Sequence, residues 1–240
     1  YPNTYKYSSD TKKVLTRYNK SSNKVGLVSG GGSGHLPLFT GYIGKGLLDS
    51  CAIGNVFASP SVHEISTATK EAASGKGVLC IYGNYGGDVM NFDMASEMLE
   101  IEDIKVESVV VADDVASAPK EEKEKRRGVT GMLYVYKIAG AMAETGASFD
   151  EVKRIAIKTN ENIRTMGIAL TPTILPQAGK PTFEIADDEM EIGMGIHGEP
   201  GIRRGKLKTA NEITEELSEK LLSDIDLNKG DKVSVLINSL

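Results

Sequence analysis

Val25-Gly-Leu-Val-Ser-Gly-Gly-Gly-Ser-Gly-His35 is the stretch on which the reading of this chain turns. Residues 25–28 form a short apolar run that reads as a buried strand. The run empties into four glycines and two serines between Ser29 and Gly34 and stops at a histidine. Glycine lets backbone approach a ligand closely and bares N–H groups that a side chain would shield. A histidine at the lip of such a loop can move protons or attack an electrophile near neutral pH. Open α/β sheets bind ligands at the carboxyl ends of their strands, and this loop occupies such an end. Two other loop types fail on residue identity: a P-loop needs lysine where His35 stands, and the dinucleotide fingerprint lacks its third glycine. A tight strand-to-helix turn with no ligand stays open as a reading of the loop alone.

Working outward, residues 77–82 and 104–112 repeat the pattern of β-branched, apolar runs. Helical periodicity fills 63–73, 92–100, 127–144 and a stretch from Ser148 to about Thr165, with Ser148 placed to cap the helix ahead of Glu151. Strands separated by helices of this length imply βαβ units and a parallel sheet. Past residue 166 the chain becomes rich in proline and glycine. Residues 167–173, 189–196 and 232–238 read as strands and 211–222 as a helix. The expected fold is α/β with two α/β domains. Residues 1–166 would enclose a three-layer parallel sheet, and residues 167–240 would begin a second domain with a mixed sheet and helices.

Composition narrows the function classes. Twenty-eight basic residues against 33 acidic ones leave a net charge of −5, without the basic surface that nucleic-acid binding needs. No apolar run reaches the length of a membrane span. Residues 120–127, KEEKEKRR, mix signs and read as a solvated helix face. Cys51 and Cys80 have no metal-site spacing and read as buried reduced thiols, which suits the cytoplasm. The chain opens on Tyr1 and closes inside an apolar stretch, so it is expected to be trimmed at both ends.

Two further constellations stand out. Gly83-Asn-Tyr-Gly-Gly-Asp88-Val-Met-Asn91 again follows a strand and opens a helix. Asp88 sits where an N-cap belongs, a role worth about 1 kcal/mol. It also reads as a carboxylate facing the same cleft as His35, and the two readings stand even. Gly193-Met-Gly-Ile-His197-Gly-Glu-Pro-Gly201 places a histidine among glycines, which core packing does not explain. The third histidine, His63, reads as a surface or helix-start residue. No cluster with ligand spacing supports zinc on His35, Asp88 and His197. Asp113-Asp114 suits Mg²⁺ in residue type but reads better as a polar loop after a strand.

GGGSGH, GNYxGDxxNF and GxGIHGEPG occur in that order, with GYIGKG (41–46), FASP (57–60), RRG (126–128) and AGKP (178–181) between and around them. Together they resemble the dihydroxyacetone-binding K subunit of bacterial dihydroxyacetone kinases over nearly the whole chain. The resemblance implies two α/β domains, a homodimer and a ketone held covalently as a hemiaminal on His197. It implies Asp88 as the base that takes the substrate's hydroxyl proton and His35 as a proton-transfer and hydrogen-bonding partner. The backbone of Gly32, Ser33 and Gly34 would cradle substrate oxygens. This chain would bind no cofactor itself. ADP or ATP with Mg²⁺ would sit on a separate L subunit, recharged from phosphoenolpyruvate by the phosphotransferase system.

Against the family's usual pattern, Leu36 replaces a glutamate, Leu38-Phe39 replaces Ala-His, and Gly83 replaces a lysine that reaches the substrate. These departures imply a more apolar, roomier pocket near Leu36, Phe39 and Gly83. They suit a longer ketose such as erythrulose, or a sensing paralogue that co-activates a transcription regulator. By comparison with the family, about a hundred C-terminal residues are expected to be missing.

Overall fold

The computed structural model describes residues 3–20, 22–175 and 178–238. They form two compact units, one of 1–111 with 131–163 and one of 112–130 with 164–240. The chain therefore leaves the first unit after the third expected strand, returns to it for two helices, and leaves again at residue 164. The expected division at 166 puts 112–130 in the first domain, whereas these residues pack with the second.

The first unit carries a six-stranded sheet in the order β1-β2-β4-β3-β5-β6. Its parallel core is β3 (Gly26–Gly32), β4 (Ser50–Gly54), β5 (Val78–Gly83) and β6 (Val106–Val111). A hairpin-like edge, β1 (Tyr5–Tyr7) and β2 (Val14–Arg17), adds antiparallel to β4. β1, β2 and β4 escape a reading by periodicity, since Ser50-Cys-Ala-Ile-Gly54 has one β-branched residue among five.

Two helix layers cover this sheet because alternate strand residues face opposite sides. Leu27, Leu79, Ile81, Val109 and Val111 pack under α3 (Met132–Glu144) and α4 (Phe149–Glu161). Val28, Cys80, Tyr82 and Val106 pack under α1 (Val62–Ala72) and α2 (Gly86–Glu100). Burial on both faces is the reason these strands read as continuous apolar runs. Local signals set the helix starts. Ser61 and Glu64 form a reciprocal capping box on α1, and Ser148 accepts from the Glu151 amide on α4.

The second unit holds an antiparallel sheet of β7 (Ile168–Ala169), β8 (Glu189–Ile192) and β9 (Arg203–Lys206), then α5 (Ala210–Asp224). Its described strands pair only antiparallel, so the mixed sheet expected there is not formed. Residues 232–238 form no strand and lie exposed, because period-2 alternation makes a strand only where a partner edge is present.

The KEEKEKRR segment is solvated only in part. Lys120–Lys125 is an exposed 3₁₀ turn, but Arg126 is 1% exposed and meets Asp224 at the end of α5 through both terminal guanidinium nitrogens, at 2.8 and 2.5 Å. Arg164 joins the same carboxylate. Asp113 and Asp114 are likewise structural. Asp113 accepts from the Val129 amide and the Thr165 hydroxyl, and Asp114 from the Ala116 amide and Arg127. With all four carboxylate oxygens engaged, the pair is the knot of the crossover between β6 and the second unit.

Candidate functional site

The glycine run is strand before it is loop. β3 pairs in parallel with β4 through Gly30↔Ala52, Gly31↔Ile53 and Gly32↔Gly54, and only then turns at Ser33–His35. Close approach explains the glycine at 32. A β-carbon there would stand 2.8–2.9 Å from the backbone of Phe57 and Ala58. The segment after β4 is thereby drawn over the end of β3, and the Ser33 amide donates to the Asn55 carbonyl at 3.1 Å. Gly34 is exposed, and Ser33 and His35 are half-buried. The His35 ring lies 4.8 Å from the ring of Phe57.

α2 begins at the carboxyl end of β5, so Asp88 falls on the same edge of the sheet. It is the third helical residue and not the N-cap; Tyr85 holds that position. The expected cap is thus corrected by two helical glycines, Gly86 and Gly87, that start the helix earlier. Asp88 is 9% exposed, and a carboxylate in a helix's first turn is stabilised by the N-terminal end of the dipole. Asn91, one turn on, donates to the Pro60 carbonyl at 2.8 Å and ties α2 to the segment beside Gly32. Beneath these loops the Ser29 and Tyr136 hydroxyls share a hydrogen bond of 2.6 Å. Burial, with the Asp88 charge among lesser causes, pushes the Tyr136 phenol upward. Gly32, Ser33, Gly34, His35 and Asp88 are therefore gathered on one edge of the first unit.

Phe39 is not part of this lip. It is 4% exposed, sits in the core and covers Gly31, so an apolar pocket cannot be drawn from it. Leu36 is 43% exposed at the turn, and Gly83 is buried at the end of β5.

His197 belongs to the second unit, on the loop joining β8 to β9. Gly193 at φ +78° ends β8, and Gly198 at φ +88° turns the chain just after the histidine. Gly195 donates to the Glu199 carbonyl at 3.0 Å, and Gly198 to the Gly195 carbonyl at 3.0 Å. Glu199 clasps the histidine. One carboxylate oxygen lies 2.9 Å from Nδ1 of the ring, and the other accepts from the His197 amide at 2.9 Å. Burial pushes the Glu199 carboxyl up, but hydrogen bonds from the His197 ring and from the backbone outweigh it and hold the group at about 2. Arg127 runs alongside, donating to Asp114 and to the Gly193 carbonyl at 2.9 Å each.

Sequence reasoning missed Phe57, Glu199 and Arg127 as parts of this machinery. All three stand inside quoted motifs, and Arg127 also ends a charge run. Their spacing alone carries no sign of which histidine or carbonyl each one meets.

The fold is that of an α/β protein with two of its histidines, His35 and His197, on turns bounded by glycines. The chain belongs to the Dak1 family: the Dak1 domain matches residues 1–240. It is 47% identical over 228 residues to the dihydroxyacetone-binding subunit DhaK of PTS-dependent dihydroxyacetone kinase 1 from Listeria innocua, covering 95% of this chain and 69% of that protein. An L-erythrulose kinase of Pectobacterium atrosepticum is 43% identical over 220 residues, covering 90% of this chain and 37% of that protein. Among solved structures, the dihydroxyacetone kinase operon co-activator DhaQ superposes with a TM-score of 0.85 at 37% identity, covering 93% of this chain and 68% of that one.

Proposed function

We propose that this chain is the dihydroxyacetone-binding subunit of a dihydroxyacetone kinase and holds its ketone covalently on His197. The observation that carries this reading is the His197–Glu199 clasp, in a chain whose relatives include a dihydroxyacetone-binding kinase subunit. A neutral imidazole nitrogen adds to a ketone carbonyl and cannot add to an alcohol. Covalent capture therefore selects dihydroxyacetone over glycerol without relying on hydrogen bonds to tell them apart. It also fixes the substrate hydroxyl for in-line attack on a phosphoryl group.

In this reading Asp88 takes the hydroxyl proton, His35 assists proton transfer, and the backbone at Gly32, Ser33 and Gly34 holds substrate oxygens. The nucleotide and its Mg²⁺ belong to a separate L subunit recharged from phosphoenolpyruvate, and the chain works as a cytoplasmic homodimer. The test combines two variants with that partner subunit. His197→Ala should lose the ketone adduct and the turnover while keeping its fold. Asp88→Asn should keep the adduct and lose turnover. An adduct that survives His197→Ala overturns the assignment.

A second reading is a dihydroxyacetone sensor, favoured by the likeness to the DhaQ co-activator. It predicts an adduct on His197 and no turnover with any partner. Kinase action on erythrulose is the variant favoured by the erythrulose kinase relative and by the glycine at position 83.

A further inference from the structure

We propose that Glu199 is a positioning residue for His197: its carboxylate keeps the ring proton on Nδ1, so that Nε2 carries the lone pair that attacks the ketone. The Arg127 guanidinium and that carboxylate border the same bare position of Gly195. The inference rests on covalent capture by His197 and adds the group that prepares the nucleophile.

The argument begins with which atom can donate. An ionised carboxylate only accepts hydrogen bonds, and Glu199 is held ionised well below neutral pH. The 2.9 Å contact between its oxygen and Nδ1 is therefore an Nδ1–H donation. In a neutral ring that leaves the lone pair on Nε2. A free histidine prefers the opposite tautomer, so the protein must impose this one. The second oxygen accepts from the His197 amide, which sets the carboxylate plane relative to the ring.

Gly195 is what makes the clasp fit. A β-carbon at that position would run into the Glu199 carboxylate and the Arg127 guanidinium together. Both groups thus crowd onto one bare backbone position. Arg127 is itself held from behind by Asp114 and by the Gly193 carbonyl. Asp114, Arg127, Gly195, Glu199 and the imidazole all lie within the second unit.

The chemistry balances through the same atoms. The Nε2–carbon bond forms as the carbonyl π pair moves onto oxygen, which leaves an alkoxide and an imidazolium. The alkoxide takes up one proton and the ring releases the one on Nδ1, so the hemiaminal forms with no net change in protons. A carboxylate beside Nδ1–H favours the charge that develops on the ring during this step.

The test uses ¹⁵N-histidine-labelled protein, at a pH where the imidazole is neutral, and intact-protein mass spectrometry with dihydroxyacetone. With three histidines in the chain, single replacements assign each signal. The wild-type His197 should show a protonated Nδ1 and an unprotonated Nε2. Glu199→Ala should move the proton to Nε2 and slow adduct formation about 10- to 100-fold, by analogy with the loss when the orienting partner of a metal-bound histidine is removed. Glu199→Gln, whose amide oxygen still accepts from Nδ1, should restore the tautomer and most of the rate. Gly195→Ala, which displaces the carboxylate without removing it, should behave like Glu199→Ala. A wild-type His197 protonated on Nε2, or a Glu199→Ala chain with unchanged tautomer and rate, overturns the proposal. A wild-type chain with the stated tautomer and no adduct would instead overturn covalent capture and leave the role of Glu199 in setting the tautomer intact.

Discussion

The ring of Phe57 lies 4.8 Å from the ring of His35, and the backbone that carries it sits at φ +52°. An aromatic residue in the left-handed region costs about 1–3 kcal/mol. An aromatic pair returns about 0.5–1.5 kcal/mol beyond its buried area. Phe57→Gly removes both terms, which oppose each other, so together they should change urea unfolding by between a loss of about 0.5 kcal/mol and a gain of about 2.5 kcal/mol. Turnover with the partner subunit should nonetheless fall roughly tenfold or more, because His35 loses the wall that orients it. Turnover equal to wild type would show that the strain at Phe57 has no part in placing His35.

A buried charge network supports the same sheet from the opposite end of its strands. Lys24, 3% exposed, pairs with Asp49, and Arg17 bridges Asp49 at 3.3 Å and reaches Glu144 on α3. Asp49 also accepts from the Leu27 amide at 2.9 Å, at the start of β3. Asp49→Ala would leave the buried lysine only the more distant Glu144 carboxylate, at 3.8 Å, and should destabilise the chain by about 3–5 kcal/mol. A Lys24→Met/Asp49→Leu double variant should lose less than Asp49→Ala alone. Equal losses would mean that the carboxylate's bond to β3 matters more than its charge.

Acid should act on the loop of His197 through Glu199. Its folded value of about 2 lies below the ordinary 4.5, so ionised Glu199 stabilises the fold fully above pH 4.5. That contribution disappears as pH falls through about 2. The difference in stability between wild type and Glu199→Gln should therefore be constant at neutral pH and shrink between pH 4.5 and pH 2. A difference that stays flat over that window would place the carboxyl outside the clasp.

Cys51 and Cys80 are free thiols, 0% and 1% exposed, and burial pushes each up to about 12. Thiolate is the reactive form, so neither should be alkylated by iodoacetamide at pH 8 in the native protein. Both should react once denaturant unfolds the chain, and a mass increase in native buffer would contradict their burial.

Much of the fold was legible locally, and so were the three residues His35, Asp88 and His197 as candidates. The helix that became α4 announced itself through its cap, Ser148–Glu151, because a cap and its partner lie within one turn. The strands that became β3, β5 and β6 announced themselves through apolar runs, because a sheet covered on both faces asks for nothing else. Partnership between distant segments left no such mark. Ser50–Gly54 is a strand because β3 lies beside it, and the glycines of β3 are strand for the same reason. Residues 232–238 have the same alternation and form no strand.

The sequence by itself determined which residues could do chemistry and where α4 starts, since side-chain type and short spacing act within a few residues. Only the tertiary structure decided that Arg126 is buried against Asp224, that Phe57 walls His35, and that Arg127 and the clasp on His197 border the same glycine. A charge, a ring or a carboxylate acquires its role from the group it meets. In these cases the meeting is set by packing between segments distant in the chain.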